Sequence, residues 1–149
     1  MAIPARLDLL ARRNIPFARE WTFTDEGEPQ DFTGATVTLQ VRQYGAQPGL
    51  ALIDLVEVGA DRTEGLRVSD GLISAWIDRT TLRFLPSGRP GADVVFAYDL
   101  IVALPGSVPE VWAYGTLTVT PGVTDRLILL TNEAGAYLVT EDGAYLTGA

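Results

Sequence analysis

Residues 35–42 alternate without a break, with Ala35, Val37, Leu39 and Val41 interleaved by Thr36, Thr38, Gln40 and Arg42. A period of two puts alternate side chains on opposite faces of a sheet, so this is the mark of a half-buried strand. The same period recurs along most of the chain. Phe17, Arg19, Trp21 and Phe23 share one face of an early strand. Residues 50–58 read as a strand, and so do residues 66–69 and 72–77, which flank the hairpin signal Asp70-Gly71. Residues 93–104 carry Val94, Phe96, Tyr98, Leu100 and Val102 on one face. Pro105-Gly-Ser-Val-Pro109 turns the chain into residues 110–120, which return with Trp112, Tyr114 and Leu117. Only residues 78–85 suggest a helix. Asp78 stands at the N-cap, Leu82 and Leu85 share a side, and Pro86 stops the turn. Short strands, frequent turns and a single helical turn predict an all-β chain built as an antiparallel β-sandwich of Ig-like type.

Composition narrows the chemistry. The chain has 149 residues and contains neither His nor Cys. All of its basic residues are Arg. Ser-His-Asp and Cys-His arrangements therefore have no members here, and neither does a Walker A lysine, a Schiff base or a thiolate metal site. Ser69, Ser74, Ser87 and Ser107 have no recognisable activating base. These residues predict no enzyme, no cofactor and no catalytic, cofactor-binding or metal site. A net charge of −8 repels phosphate backbones, which argues against a nucleic-acid partner. No apolar run approaches the roughly 20 residues that span a bilayer, and the start of the sequence lacks the charged and apolar regions of a signal peptide. The expectation is a protein made and kept in the cytoplasm until it assembles, with no membrane partner.

Three groups of residues invite a second reading. Asp25, Glu26, Glu28 and Asp31 crowd one loop, yet their spacing departs from that of an EF-hand, and a solvated turn is the expectation. Trp21, Trp76 and Trp112 lie in alternating strands, which predicts core packing; a sugar platform needs at least one of them on an exposed flat face. Arg12, Arg13 and Arg19 read as an ordinary exposed face, with pairing to an acidic neighbour as the alternative.

The final stretch differs in kind. Gly135-Ala-Tyr-Leu138 recurs as Gly143-Ala-Tyr-Leu146. Each copy reads as a tight turn followed by a short strand. Two copies are too few for a solenoid, which needs about three. The expected organisation is a sandwich over residues 1–125 and a tandem-repeat β-arm over residues 126–149. Isolated hairpins are marginal in water, so the arm should dock on its own sandwich or on a neighbouring subunit. Ile128, Leu130, Tyr137, Leu138, Tyr145 and Leu146 are the candidate interface residues.

One segment goes beyond a generic β pattern. Trp21-Thr-Phe-Thr-Asp-Glu-Gly-Glu-Pro-Gln-Asp-Phe-Thr-Gly-Ala-Thr-Val-Thr-Leu-Gln-Val-Arg42 resembles the N-terminal module of phage baseplate upper proteins and related short phage proteins. In that family an aromatic-rich strand leads through an acidic Gly-x-Pro turn into Asp-Leu-Thr-Gly and a strand ending near Arg. Phe32 stands here where Leu is usual. Ala97-Tyr-Asp-Leu-Ile-Val-Ala103 and Gly115-Thr-Leu-Thr-Val-Thr-Pro121 resemble its closing hairpin, so the likeness covers roughly residues 7–125. It carries no catalytic residues across. It implies a virion protein made in the host cytoplasm that joins other tail, baseplate or capsid proteins as a homo-oligomer, for example a trimer. In the family, receptor recognition lies in a separate C-terminal region, whereas only a short segment follows the module here. A tail or baseplate adaptor or accessory is therefore the first expectation. A capsid decoration protein of the same fold is the alternative, and an Ig-like carbohydrate-binding module the second.

Overall fold

The computed structural model describes residues 4–123. The expected arm, and with it Ile128, Leu130, Tyr137, Leu138, Tyr145 and Leu146, lies outside the described residues. Eleven strands and one short helix are described, and the expected all-β sandwich forms. In chain order they are β1 (Ala5–Arg6), β2 (Leu9–Arg12), β3 (Phe17–Thr22), β4 (Thr24–Asp25), β5 (Glu28–Pro29), β6 (Thr36–Arg42), β7 (Ile53–Val56), β8 (Gly65–Ser69), β9 (Leu72–Ile77), α1 (Arg79–Arg83), β10 (Val94–Ala103) and β11 (Glu110–Thr120).

The larger sheet runs β1-β11-β10-β6-β7, with β2 also pairing β11. The smaller sheet runs β3-β9-β8. Alternation decides what lies between them. Val37, Leu39 and Val41 of β6 face inward with Phe96, Tyr98, Leu100 and Val102 of β10. From the smaller sheet come Phe17, Trp21, Ile73, Ala75 and Ile77. Leu82 of α1 and Leu85 close one end, as their spacing predicts. Burying apolar area of this kind is the main term that holds such a fold, at about 25 cal/mol per Å².

Four local readings need correction. The strand expected over residues 50–58 shrinks to Ile53–Val56, and Leu50 is 94% exposed. The reason is Arg42, whose Nη1 donates to the carbonyls of Gln47 and Gly49 at 2.9 and 2.7 Å and so holds the preceding loop as a loop. Tyr114, expected beside Trp112, points outward. The pairing of β10 with β11 shifts between Leu100 and Ile101, so Leu100 faces Ala113 while Ile101 faces Val111. That bulge turns both Trp112 and Ala113 inward and sends Tyr114 out. Trp76 is only half-buried, because it lies on the outer face of β9. Asp78 stands at the N-cap position without capping, since its Oδ1 accepts from the Trp76 indole N–H at 2.9 Å instead.

The strands β1 and β2 were not foreseen, and neither was β5 in the acidic turn. β1 and β2 pair in parallel with β11, at Ala113–Tyr114 and Leu117–Thr120 respectively. Between them the ladder breaks, and the Asp8 carboxylate accepts from the Thr116 backbone N–H at 3.1 Å. That bond holds the Asp8 carboxyl below its ordinary range. Gly115 makes the approach feasible: a Cβ there would lie 2.6 Å from the Leu7 carbonyl oxygen and 2.8 Å from Asp8 Oδ1.

Candidate functional site

The segment from Trp21 to Arg42 folds as a clamped unit. β4 and β5 form a tight hairpin that turns through two left-handed residues, Glu26 at φ 53° and Gly27 at φ 84°. That is the geometry a right-twisted two-residue hairpin prefers. The base of this hairpin is tied to the turn between β8 and β9. Phe23 N–H donates to the Gly71 carbonyl at 2.8 Å, Gly71 N–H to the Gln30 carbonyl at 2.7 Å, and Gln30 N–H to the Phe23 carbonyl at 3.0 Å. Gly71 has φ +73°, and a Cβ there would meet the Pro29 Cβ at 2.8 Å. Past the hairpin, Asp31 Oδ1 accepts from Thr33 N–H at 2.9 Å, and hydrogen bonding from the Thr33 side chain, with that from its backbone, lowers the Asp31 pKa. Phe32 packs with Phe23 and Trp112 in an aromatic trio with centroids 5.3–6.0 Å apart. Edge-to-face contacts of this kind add to the area they bury.

Beside this unit the sandwich fails to close. On one side the two sheets are stitched: Glu57, just past β7, bridges to Leu66 of β8, and Val58 N–H donates to the Leu66 carbonyl at 2.7 Å. On the other side β3 is the edge of the small sheet, and β1 with β2 is the edge of the large one. Among the described residues, β3 pairs only with β9. A cleft of about 710 Å³ opens there, with Ala5 and Leu7 on one wall and Arg19–Thr22 on the other. Trp21, Phe23 and Trp112 line it, and Glu20, Asp25, Gln30 and Glu110 add polar groups.

Two buried polar groups lie behind this cleft. Tyr98 donates its hydroxyl hydrogen to the Leu7 carbonyl, and burial pushes its pKa up to about 12. The Trp21 indole is 3% exposed. Its N–H lies close enough to the Tyr98 hydroxyl to favour the phenolate, but no acceptor is aligned for a hydrogen bond. A buried donor left in that state costs about 1–3 kcal/mol.

A second surface lies on the outer face of the large sheet, where Tyr44, Ile101, Val111 and Tyr114 surround a shallower hollow of about 480 Å³. Asp99 stands there in register between Gln40 and Tyr114. Burial raises its pKa and the nearby Arg42 opposes the rise.

No protein-family model and no curated protein matches this chain. The site therefore has to be read from its residues.

Asp25, Glu26 and Glu28 sit on the exposed hairpin, and among the described residues no three carboxylates converge as cation ligands. Arg19 and Arg12 are exposed, as expected. Arg13 is not. Its guanidinium donates to the carbonyls of Leu82 and Leu85 at 3.0 and 2.8 Å, and to that of Pro86 at 2.7 Å. It closes the C-terminal end of α1, where a cation meets unsatisfied carbonyls and the negative end of the helix dipole. Partial burial lowers its pKa. No local pattern announces that role, because the partner lies about 70 positions away along the chain.

Proposed function

We propose that this chain is a structural protein of a tailed-bacteriophage or prophage virion, a tail or baseplate adaptor or accessory that works by protein–protein assembly rather than by turnover. The observation that carries this reading is the segment from Trp21 to Arg42. Its sequence resembles the phage module, and the same residues fold into a clamped hairpin, an Asx turn and the strand β6. Such a unit provides a rigid surface, and it stands beside an open seam of the sandwich. Rings of identical subunits repeat one interface around an axis, and a rigid protomer with an unsatisfied edge suits that task.

The carbohydrate-binding alternative is weakened by the tryptophans. Trp21 and Trp112 are 3% and 6% exposed, too buried to stack on a sugar, and the Trp76 indole is engaged by Asp78. Capsid decoration would use the same surfaces as a tail role, so the position of the protein in images of labelled particles separates the two.

Gel filtration with light scattering tests the proposal. A homo-oligomer is expected, and a monomer at every concentration contradicts it. Removal of residues 127–149 should leave the β-type circular dichroism intact and abolish assembly. Collapse of that spectrum would mean that the arm belongs to the core.

A further inference from the structure

We infer that Phe84 is a docking knob that seats in the cleft between β1 and β3 of a second copy of this chain. This rests on the assembly reading above and names the two described surfaces that would meet.

The knob is defined by how the chain around it is held. Phe84 follows α1 and is 75% exposed, the most exposed aromatic side chain among the described residues. An exposed apolar side chain alone says little, because apolar atoms cover much of any protein surface. The mounting sets this one apart. The Arg13 guanidinium donates to the carbonyls of Leu82 at 3.0 Å, Arg83 at 3.4 Å, Leu85 at 2.8 Å and Pro86 at 2.7 Å, which pins the backbone on both sides of Phe84. Leu82 and Leu85 are buried in the core. The ring is therefore held outward on a fixed frame, so little backbone ordering remains to be done on docking.

The socket is the cleft on the open side. Leu7, Phe23 and Leu104 line it and are only half-buried, so apolar surface faces the opening. Its polar groups are mostly acidic: Glu20, Asp25 and Glu110, against Arg19. Glu26 and Glu28 stand beside Asp25 on the hairpin. The end that carries Phe84 has the opposite sign. Arg12, Arg13, Arg79, Arg83 and Arg89 gather there, against Glu64, Asp78 and Asp93. An aromatic anchor in an apolar pocket within a charged, complementary rim is the usual anatomy of a protein–protein contact.

Both halves lie on one chain but cannot meet within it. β3 starts at the Phe84 end, where Phe17 pairs with Ile77 just before α1, and finishes at the cleft, where Thr22 pairs with Leu72. Its six residues span about 20 Å. A ring fixed beyond one end of that strand does not enter the cleft of its own sandwich. A second copy offers the same cleft with the matching charge. Knob and socket at opposite ends make a head-to-tail contact, which closes into a ring when the rotation allows.

Two full-length variants test this. Phe84→Ser removes the knob and keeps the cleft. Asp25→Arg combined with Glu110→Arg reverses the rim and keeps the knob. Circular dichroism like the parent's checks that both fold. By light scattering, Phe84→Ser should weaken self-association roughly 30-fold, the loss expected of an interface anchor. The rim variant should weaken it as well. An equal mixture of the two should form a species of two chains and stop there, because only one intact knob and one intact cleft can pair. Phe84→Ser assembling as the parent does overturns the inference and leaves the assembly reading standing. Loss of assembly in both variants without recovery in the mixture also overturns it, since the knob then seats elsewhere. A parent that is monomeric at every concentration removes both.

Discussion

The two sides of this sandwich solve the same problem in different ways. Where β7 meets β8, main-chain groups join the sheets, and Leu66 at their junction is fully buried. Where β1 and β2 face β3, the sheets stay apart. The connection at the far end of that side is held by a side chain, Arg13 reaching the carbonyls after α1. Backbone stitching makes a seam that is part of the fold. Side-chain anchoring leaves an edge that is finished but unpaired. The difference teaches that the stitched side should respond to mutation mainly through stability, and the open side mainly through association.

That contrast is easiest to break at Leu66. Leu66→Ala removes a fully buried side chain at the stitched seam and should cost about 3 kcal/mol in urea unfolding. A loss below 1 kcal/mol, on the order of a surface change, would show that the seam does not carry the fold. Gly71→Ala comes next, at about 2 kcal/mol, because it adds left-handed strain and a clash with Pro29 where the Trp21–Arg42 unit is tied down. Arg13→Met keeps the aliphatic stem but loses the helix-end hydrogen bonds, and should cost about 1.5 kcal/mol. The smallest stability effect belongs to Thr22→Ala on the open edge, within about 0.5 kcal/mol.

A pH series sharpens the same picture. The folded pKa of Asp31 is lowered by its bonds to Thr33, so its contribution is present above the ordinary value of 3.8 and lost as pH falls through the folded value. Asp31→Asn should therefore differ from the parent at neutral pH, and the difference should shrink in acid. Asp99 has the opposite sign. Burial raises its pKa, so its carboxyl favours the folded state most below the ordinary value and that advantage fades as pH rises. Asp99→Asn should lose least at neutral pH, and thermal unfolding across the acid range reads both.

Legibility in the sequence follows the range of the interaction that decides each feature. β6, β9 and β10 were readable because alternation against a core is a local pattern. The short β1 and β2 were not, since each is defined by parallel pairing with β11, over a hundred positions away. Tyr114 was misplaced because a one-residue bulge shifts every side chain beyond it to the other face. Leu50 was misplaced because Arg42 captures the loop before it. The cleft had no signature at all. An open edge consists of strands that fail to meet, and no residue pattern records a missing partner. The interface residues chosen from the repeat lie outside the described residues, and the unpaired edge of β3 emerged only from the sheet order.

Hydrogen exchange at two protein concentrations tests the central contrast most directly. In dilute protein the amides on the outer side of β3 should exchange much faster than those of Val58 and β8, and they should become protected as oligomers form. Equal protection of β3 and β8 in the dilute monomer, unchanged on concentration, would contradict an open side that joins one copy to the next.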